Sequence, residues 1–565
     1  MDEMMQSLQK QTDLNIREKA NLIWEIATHL VGLFKPHEYG KVILPMTVLK
    51  RFDDALAPTK KAVLDKYEEL QTKHVVNNVL DASLCKESGM SFYNRSKFDF
   101  AKLVADSDNI EANFEDYLSG FSDNVKDIIT KFKFADTVKT MADGNVLFLV
   151  IQEFNSRKGD MSPDKITSAD MGYIFEELIR KFSESYNETA GAHFTSRDII
   201  YLMTELLIAP EKDEIVTEGC FKTAYDMTMG TSQMLGCLTE RIKAINPNAE
   251  LTCFGQELNE ETYAIAKADM LIKGGNVSGM KQGDTLSDDA FEGYEFDYII
   301  SNPPFGIDWK KDKAYVENEA KLGYSGRFGP GLPAVSDSQM LFLLNGVKKL
   351  KEGCGRMAII QNGSSLFTGD AGSGASEIRK YLITGDLVEA IIQLPNDLFY
   401  NTGIATYIWV ISKNKAVHRL GKIQLIDASK CFVKRRKNIG NKRVDLSDEC
   451  IAMIINAYNA FEDGEHVSGG LKVESKVREN NFFGYTKVTV ETPITDENGK
   501  PVLKRGKPQP DKSKSDTESI PLLEDIDEYF KRNVLPYNPI AYMDRSKDKV
   551  GYEIPFTRLF YKFTP

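Results

Sequence analysis

Phe296-Asp297-Tyr298-Ile299-Ile300-Ser301-Asn302-Pro303-Pro304-Phe305 decides how the rest of the chain is read. A short apolar run leads into Asn-Pro-Pro-Phe, so a buried strand is expected to end at the carboxyl edge of a sheet, where α/β proteins place their chemistry. Two consecutive prolines fix φ and remove two N–H donors, so the turn presents carbonyl oxygens. Asn302 adds a side-chain oxygen and Phe305 a flat apolar face. Acceptors beside a stacking ring suit an aromatic amine: adenine N6 has two hydrogens to donate, and its base must leave the duplex to reach such a pocket. Taken alone, the tetrapeptide is also compatible with a plain proline turn after a strand. Its neighbours decide.

Working upstream, Ala224-Tyr225-Asp226-Met227-Thr228-Met229-Gly230-Thr231-Ser232 reads as strand, acid, tight turn and helix. An acid at the end of a first strand can hold the cationic end of a cofactor, and Gly230 lets the backbone approach it. Thr228, Thr231 and Ser232 share that turn. After the next strand comes Gly255-Gln256-Glu257-Leu258, with a carboxylate placed to accept two ribose hydroxyls. Gly283-Asp284-Thr285-Leu286 then sets Asp284 where it can take an amino proton from a cofactor's adenine, with Thr285 beside it. A single acid after a strand is as readily a helix cap or a surface residue. The order, each acid after its own strand, carries the signal.

The wider chain falls into three segments. Residues 1–165 read as an N-terminal helical domain, since Leu22, Ile23, Ile26, Ala27, Leu30 and Val31 repeat at three and four, as do Val125, Ile128, Ile129 and Phe132. A further helix carrying Ile174, Phe175, Leu178, Ile179 and Phe182 leads to Gly191. Residues 166–435 alternate helical stretches with short apolar runs at 223–225, 251–255, 298–301, 357–361, 388–394, 406–411 and 423–426. These are expected to be buried strands of a mostly parallel α/β sheet, with an antiparallel edge where the last runs crowd together. Residues 436–565 are mixed: Asn498-Gly499 signals a hairpin turn between 487–494 and 501–503. Residues 506–518 read as flexible, and the tail from Pro521 as one short helix with a Pro- and Tyr-rich end.

The 565 residues exceed one compact core. Seven scattered cysteines without a C-x-x-C pair fit a reducing cytosol and no disulfide framework, and no histidine cluster has metal-ligand spacing, so no metal is expected. No apolar stretch is long enough to cross a bilayer, and residues 1–20 have no apolar signal core, so a cytoplasmic protein without membrane contact is expected. The net charge of −12 is unusual for a DNA enzyme. Positive charge is local: Lys310, Lys311 and Lys313; Lys348, Lys349 and Lys351; and Lys434-Arg435-Arg436-Lys437. Such runs are more often solvated faces than phosphate clamps. Another chain is therefore expected to supply much of the grip on DNA.

Together with Gly191-Ala192-His193-Phe194-Thr195-Ser196-Arg197, these motifs resemble the amino-methyltransferase series. Residues 172–430 resemble the modification subunit of type I restriction–modification systems, above all at 355–367, at 394–406 (LPNDLFYNTGIAT) and at 422–430. The N-terminal helical region is similar to the same family. The resemblance implies a Rossmann-like methyltransferase core that uses S-adenosylmethionine to methylate N6 of adenine in DNA. It places Phe194, Thr195 and Arg197, with His193 and Ser196 beside them, at the methionine end of the cofactor. Asp226, Gly230, Glu257 and Asp284 would hold the rest, and Asn302, Pro303, Pro304 and Phe305 the target adenine. It also implies partners: a specificity subunit flanked by two copies of this chain, and a motor-nuclease restriction subunit.

The sequence departs from that family at two positions, with Ser232 where a second glycine is usual and Ser196 where a proline is usual. Asn-Pro-Pro-aromatic also serves enzymes that methylate a protein glutamine or an RNA base, and a degenerate scaffold subunit is a further alternative. Gly369-Asp370-Ala371-Gly372-Ser373-Gly374 imitates a nucleotide loop, but no Gly-Lys-Ser/Thr follows. It is expected to be a mobile loop before a helix at 376–382.

Overall fold

A computed structural model describes residues 18–561, apart from 20, 24, 76, 168, 169, 173, 176, 177, 179–194, 276, 305, 400, 401, 440 and 505. Contacts gather the chain into two compact units that do not follow chain order: Met1–Phe194 with Ile215–Ala290, and Thr195–Glu214 with Phe291–Pro565. Among the described residues, no helix is long and apolar enough to cross a membrane.

The first unit joins a helical layer to three parallel strands. The helix Tyr39–Leu56 buries Val42, Ile43, Met46, Leu49 and Phe52 against an aromatic cluster of Phe92, Phe100, Phe114, Tyr117 and Phe121. Phe52 and Phe92 meet edge to face at 4.9 Å, and Tyr117 and Phe121 at 5.1 Å. Burying each such ring contributes about 1.5–3 kcal/mol. The same core takes in Ala264, Ile265, Ala268 and Leu271 of the helix Glu260–Ile272. Ile174, Phe175 and Leu178 join it as well, while Ile179 and Phe182 of that expected helix lie outside the described residues. Strands β1 (Phe221–Asp226), β2 (Glu250–Glu257) and β3 (Met280–Gln282) pair in parallel, with Asp226 opposite Gly255 and Glu257 opposite Gln282. Helices Gln233–Ile245 and Glu260–Ile272 follow β1 and β2, so each strand's carboxyl end opens into a helix start.

The second unit continues the pattern with β4 (Tyr298–Ser301), β5 (Arg356–Asn362), β6 (Val388–Gln393), β7 (Thr406–Ser412) and β8 (Lys422–Lys430). Strand β4 runs parallel to β5, and β6 parallel to β8, while β7 lies antiparallel between β5 and β6. Strands β9 (Val433–Ile439) and β10 (Lys442–Asp445) form a separate two-stranded ribbon. Strands β11 (Gly464–Ser468) and β12 (Leu471–Glu479) complete an antiparallel edge on β8. This is the Rossmann-like, mostly parallel architecture with an antiparallel edge and a helical N-terminal region. All seven apolar runs become strands at the expected places.

A buried ion pair ties this unit together. Arg356 on β5 meets Glu389 on β6 at 2.9 Å, and it also donates to the Tyr458 hydroxyl and to the carbonyls of Leu206 and Leu207. Burial alone would push the Glu389 carboxyl up, but the Arg356 charge and hydrogen bonds hold it at about 2. The helix Arg197–Ile208 is thereby fixed against β5. Removing one partner of such a pair costs about 3–5 kcal/mol.

The tail differs from expectation. The turn at Asn498-Gly499 forms, with Gly499 at φ 74° and Val502 N–H donating to the Ile494 carbonyl at 2.8 Å. Residues expected to be flexible instead contain β15 (Lys507–Pro508), which pairs with β14 (Leu503–Lys504), and the start of β16 (Asp516–Pro521). Strand β16 pairs along β13 (Gly484–Glu491), whose other edge takes β17 (Tyr542–Tyr552), a strand not expected from sequence. Both added strands are polar because one face of an antiparallel sheet can meet water. Ile520 alone of β16 is buried, against Val488, Val490 and Phe530.

Candidate active site

In the first unit the expected cofactor residues cluster at the ends of β1, β2 and β3. Asp226 is buried at the last position of β1 and accepts the Thr228 N–H at 3.1 Å. Glu257, at the end of β2, accepts Gly230 N–H on one oxygen at 2.9 Å and Asn259 N–H on the other at 2.8 Å. Burial raises the Glu257 carboxyl above its ordinary 4.5, against the pull of these backbone donors. Gly230 sits at φ 53° with open space where a Cβ would be. Gly255 lets the Met229 side chain pack close, since a Cβ there would lie 2.3 Å from its sulfur and force that side chain to shift. Asp284 is half-buried and accepts Leu286 N–H at 3.0 Å. Thr285 is buried, its hydroxyl donating to the Met227 carbonyl at 2.6 Å, which joins this loop to the turn after β1.

Thr231 and Ser232 are buried in that turn. Ser232 adopts φ 67°, ψ 20°, the left-handed region that favours glycine. Its hydroxyl is buried and has no hydrogen-bond partner among the described residues. A buried hydroxyl in that state, the open space at Gly230 and the ordered carboxylate of Glu257 fit a polar cofactor with ribose hydroxyls to donate.

In the second unit Asn302 follows β4 directly and is buried with Pro303, while Pro304 is half-buried. The Asn302 amide nitrogen donates to the Thr195 hydroxyl at 2.8 Å, which turns its oxygen away from Thr195. Ser196, buried, caps the helix Arg197–Ile208, and its hydroxyl donates to Asp198; Arg197 is half-buried at the helix start. His193, Phe194 and Phe305 lie outside the described residues.

Sequence reading missed a polar brace behind the Asn-Pro-Pro turn. Asp337 accepts Gly306 N–H at 3.3 Å, and the Gln339 amide nitrogen lies within hydrogen-bond reach of Asp337 at 2.6 Å, Asn362 at 2.7 Å and Ser364 at 2.6 Å. Nothing local marked these residues, because the network joins segments far apart in sequence. The glycine loop before the helix Gly374–Thr384 is packed rather than mobile. Arg379 donates to the Thr368 and Gly369 carbonyls, and a Cβ on Gly374 would lie 1.8 Å from the Leu332 carbonyl oxygen. Its glycines serve close packing.

Comparison with known proteins decides which family the chain belongs to. Residues 167–498 match the family model of the N-6 DNA methylases, and residues 19–154 match the HsdM N-terminal domain. The chain belongs to the N-6 DNA methylase family. It is a DNA methyltransferase of the adenine N6 class, and S-adenosylmethionine is the methyl donor of that class. A type I restriction enzyme methylase subunit of Methanocaldococcus jannaschii is 24% identical over 482 residues, covering 82% of this chain and 80% of that one. One from Mycoplasma pneumoniae is 26% identical over 402 residues, covering 69% and 65%. The solved methyltransferase subunit of a type I restriction–modification system from Streptococcus thermophilus superposes with a TM-score of 0.64 at 23% identity, covering 83% of this chain and 97% of that one. That likeness shows the fold.

Proposed function

We propose that this N-6 DNA methylase is the modification subunit of a type I restriction–modification complex, and that Asn302 and Pro303 bind the target adenine amine. The supporting observation is the buried Asn302 amide, oriented by Thr195 at the carboxyl end of β4. Adenine N6 is a poor nucleophile because its lone pair is delocalised into the ring. Accepting its two hydrogens on the Asn302 side-chain oxygen and the Pro303 carbonyl draws the nitrogen toward tetrahedral geometry and localises the lone pair. Phe305 stacks on the extruded base. S-adenosylmethionine, when bound, supplies a methyl group on a cationic sulfur. As the family resemblance implies, Asp226, Thr228, Gly230, Thr231, Ser232, Glu257, Asp284 and Thr285 bind it, with His193, Phe194, Thr195, Ser196 and Arg197 at its methionine end. No covalent enzyme intermediate is needed; orientation and fixed dipoles do the work.

In the complex, two copies of this chain flank a specificity subunit that reads the DNA sequence, and a motor-nuclease subunit joins for restriction. The N-terminal helical region and the tail after 520 serve as docking surfaces. Radiolabelled S-adenosylmethionine is incubated with the chain and adenine-containing DNA, with and without a co-expressed specificity subunit, and the DNA is digested to nucleosides. Label in N6-methyladenine, raised by the specificity subunit, is expected. Label in protein or RNA instead would replace this reading with a glutamine or RNA methyltransferase, and absence of both binding and transfer would make the chain a scaffold.

A further inference from the structure

The −12 chain concentrates positive charge in local segments, one of which is built into the second unit beside Asn302. Residues 433–445, VKRRKNIGNKRVD, hold six Lys or Arg and one Asp, and they fold as the β9–β10 ribbon outside the main sheet. Ion pairing and burial separate two of these cations from three others. Arg435 pairs with Asp445, and Lys442 is buried, bonding Asp198 at 3.1 Å, Asp445 at 3.2 Å and the Leu398 carbonyl at 2.9 Å. Lys434, Arg436 and Arg443 are exposed.

The root of the ribbon is built into the base-binding side of the second unit. Asp198 accepts Lys442 and the Leu446 N–H at 2.8 Å, and it also receives the Ser196 hydroxyl, one residue from the Thr195 that orients Asn302. Arg443 N–H donates to the Asp397 carbonyl at 2.8 Å, so both Asp397 and Leu398 of the LPNDLF segment hold the ribbon as well. Three residues of backbone separate Thr195 from Asp198, at most about 11 Å of chain. The other two basic runs are used differently: Lys349 is buried on the Phe291 carbonyl, Lys351 pairs with Asp297, and Lys310 and Lys313 pair with Asp308 and Glu317.

We propose that the β9–β10 ribbon grips the phosphate backbone of the substrate DNA next to the extruded adenine, through Lys434, Arg436 and Arg443. The inference rests on the reading of Asn302 as the adenine site. A rigidly rooted ribbon with outward cations supplies position without base recognition, which is the role phosphate contacts play. Each phosphate neutralised releases counterions, so three contacts contribute about 2.7 to the slope of log affinity against log salt.

The test uses the full chain co-expressed with its specificity subunit, titrated onto a fluorescent duplex between about 50 and 200 mM salt. The triple variant Lys434→Gln, Arg436→Gln, Arg443→Gln is expected to lower the salt slope by about 2 to 3 and to weaken cognate and non-cognate duplexes alike by roughly tenfold or more. Its S-adenosylmethionine affinity and melting temperature stay unchanged. The charge-preserving variant Lys434→Arg, Arg436→Lys, Arg443→Lys keeps the native slope. An unchanged slope in the glutamine variant, while the native complex still produces N6-methyladenine, overturns the ribbon assignment alone. Loss of co-purification with the specificity subunit at an unchanged slope also overturns it and makes the ribbon a protein dock. If the native complex produces no N6-methyladenine, the adenine reading fails and the ribbon proposal fails with it.

Discussion

Glu257 in the first unit and Asn302 in the second both stand at the carboxyl end of a parallel strand, yet they are held in opposite ways. Glu257 is a charged acceptor fixed on both oxygens by backbone N–H groups, which do not titrate. Asn302 is a neutral amide whose nitrogen donates to the Thr195 side-chain hydroxyl. Under the proposed assignment, the difference matches what each would bind. Ribose hydroxyls are good donors, so a carboxylate gains charge-assisted bonds from them. An adenine amine must be polarised without being protonated, and a neutral carbonyl accepts its hydrogens at any physiological pH.

Breaking the second arrangement should have the largest effect. Asn302→Ala is expected to lower methyl transfer by about a hundredfold or more, the scale of losing one placed transition-state hydrogen bond. Equilibrium dialysis should show S-adenosylmethionine affinity within a few-fold of native. Equal loss of binding and turnover would erase the distinction between the two strand ends.

Breaking the first arrangement should act on binding instead. Asp226→Ala and Glu257→Ala each remove a charge-assisted bond worth roughly 1.5–3 kcal/mol, so the cofactor Kd should rise about ten- to a hundredfold. Calorimetry showing native affinity in both variants would mean that the acids only cap the turns they touch.

Acid should separate the two ends without any mutation. The Glu257 carboxyl is raised above 4.5 by burial, so its protonated form is favoured by the fold below 4.5 and that contribution is lost as pH rises through the raised value. At neutral pH the ionised group is therefore a cost to the ligand-free fold, one that bound hydroxyls offset. Cofactor affinity should fall on acidification at a higher pH than an ordinary glutamate would give. In Glu257→Ala that acid limb should disappear from the binding curve.

The smallest effect is expected at Ser232. Its left-handed backbone strains a side chain by about 1–2 kcal/mol, and glycine's extra unfolded-state freedom takes back about 0.5–1. Ser232→Gly should thus stabilise the ligand-free protein by no more than about 1.5 kcal/mol in urea melts, and weaken cofactor binding a few-fold by removing a buried hydroxyl. A gain in both stability and affinity would show that Ser232 only strains the turn.

Much of this molecule is local and therefore legible in order along the chain. A buried parallel strand is an uninterrupted apolar run, so the seven runs announced seven strands, and an acid or Asn-Pro-Pro directly after a strand stands at its carboxyl edge by necessity. Helical periodicity likewise marked the N-terminal layer. What the tertiary structure alone decided is where polar groups are satisfied across long sequence separations. Thr195 orienting Asn302, Lys442 bonding Asp198, and Arg356 joining Glu389, Tyr458 and Leu207 leave no periodic trace, because a hydrogen bond constrains two positions and not the sequence between them. The polar strands β16 and β17 were hidden for the same reason: their partner is a backbone ladder, and a ladder is indifferent to the side chains that face water.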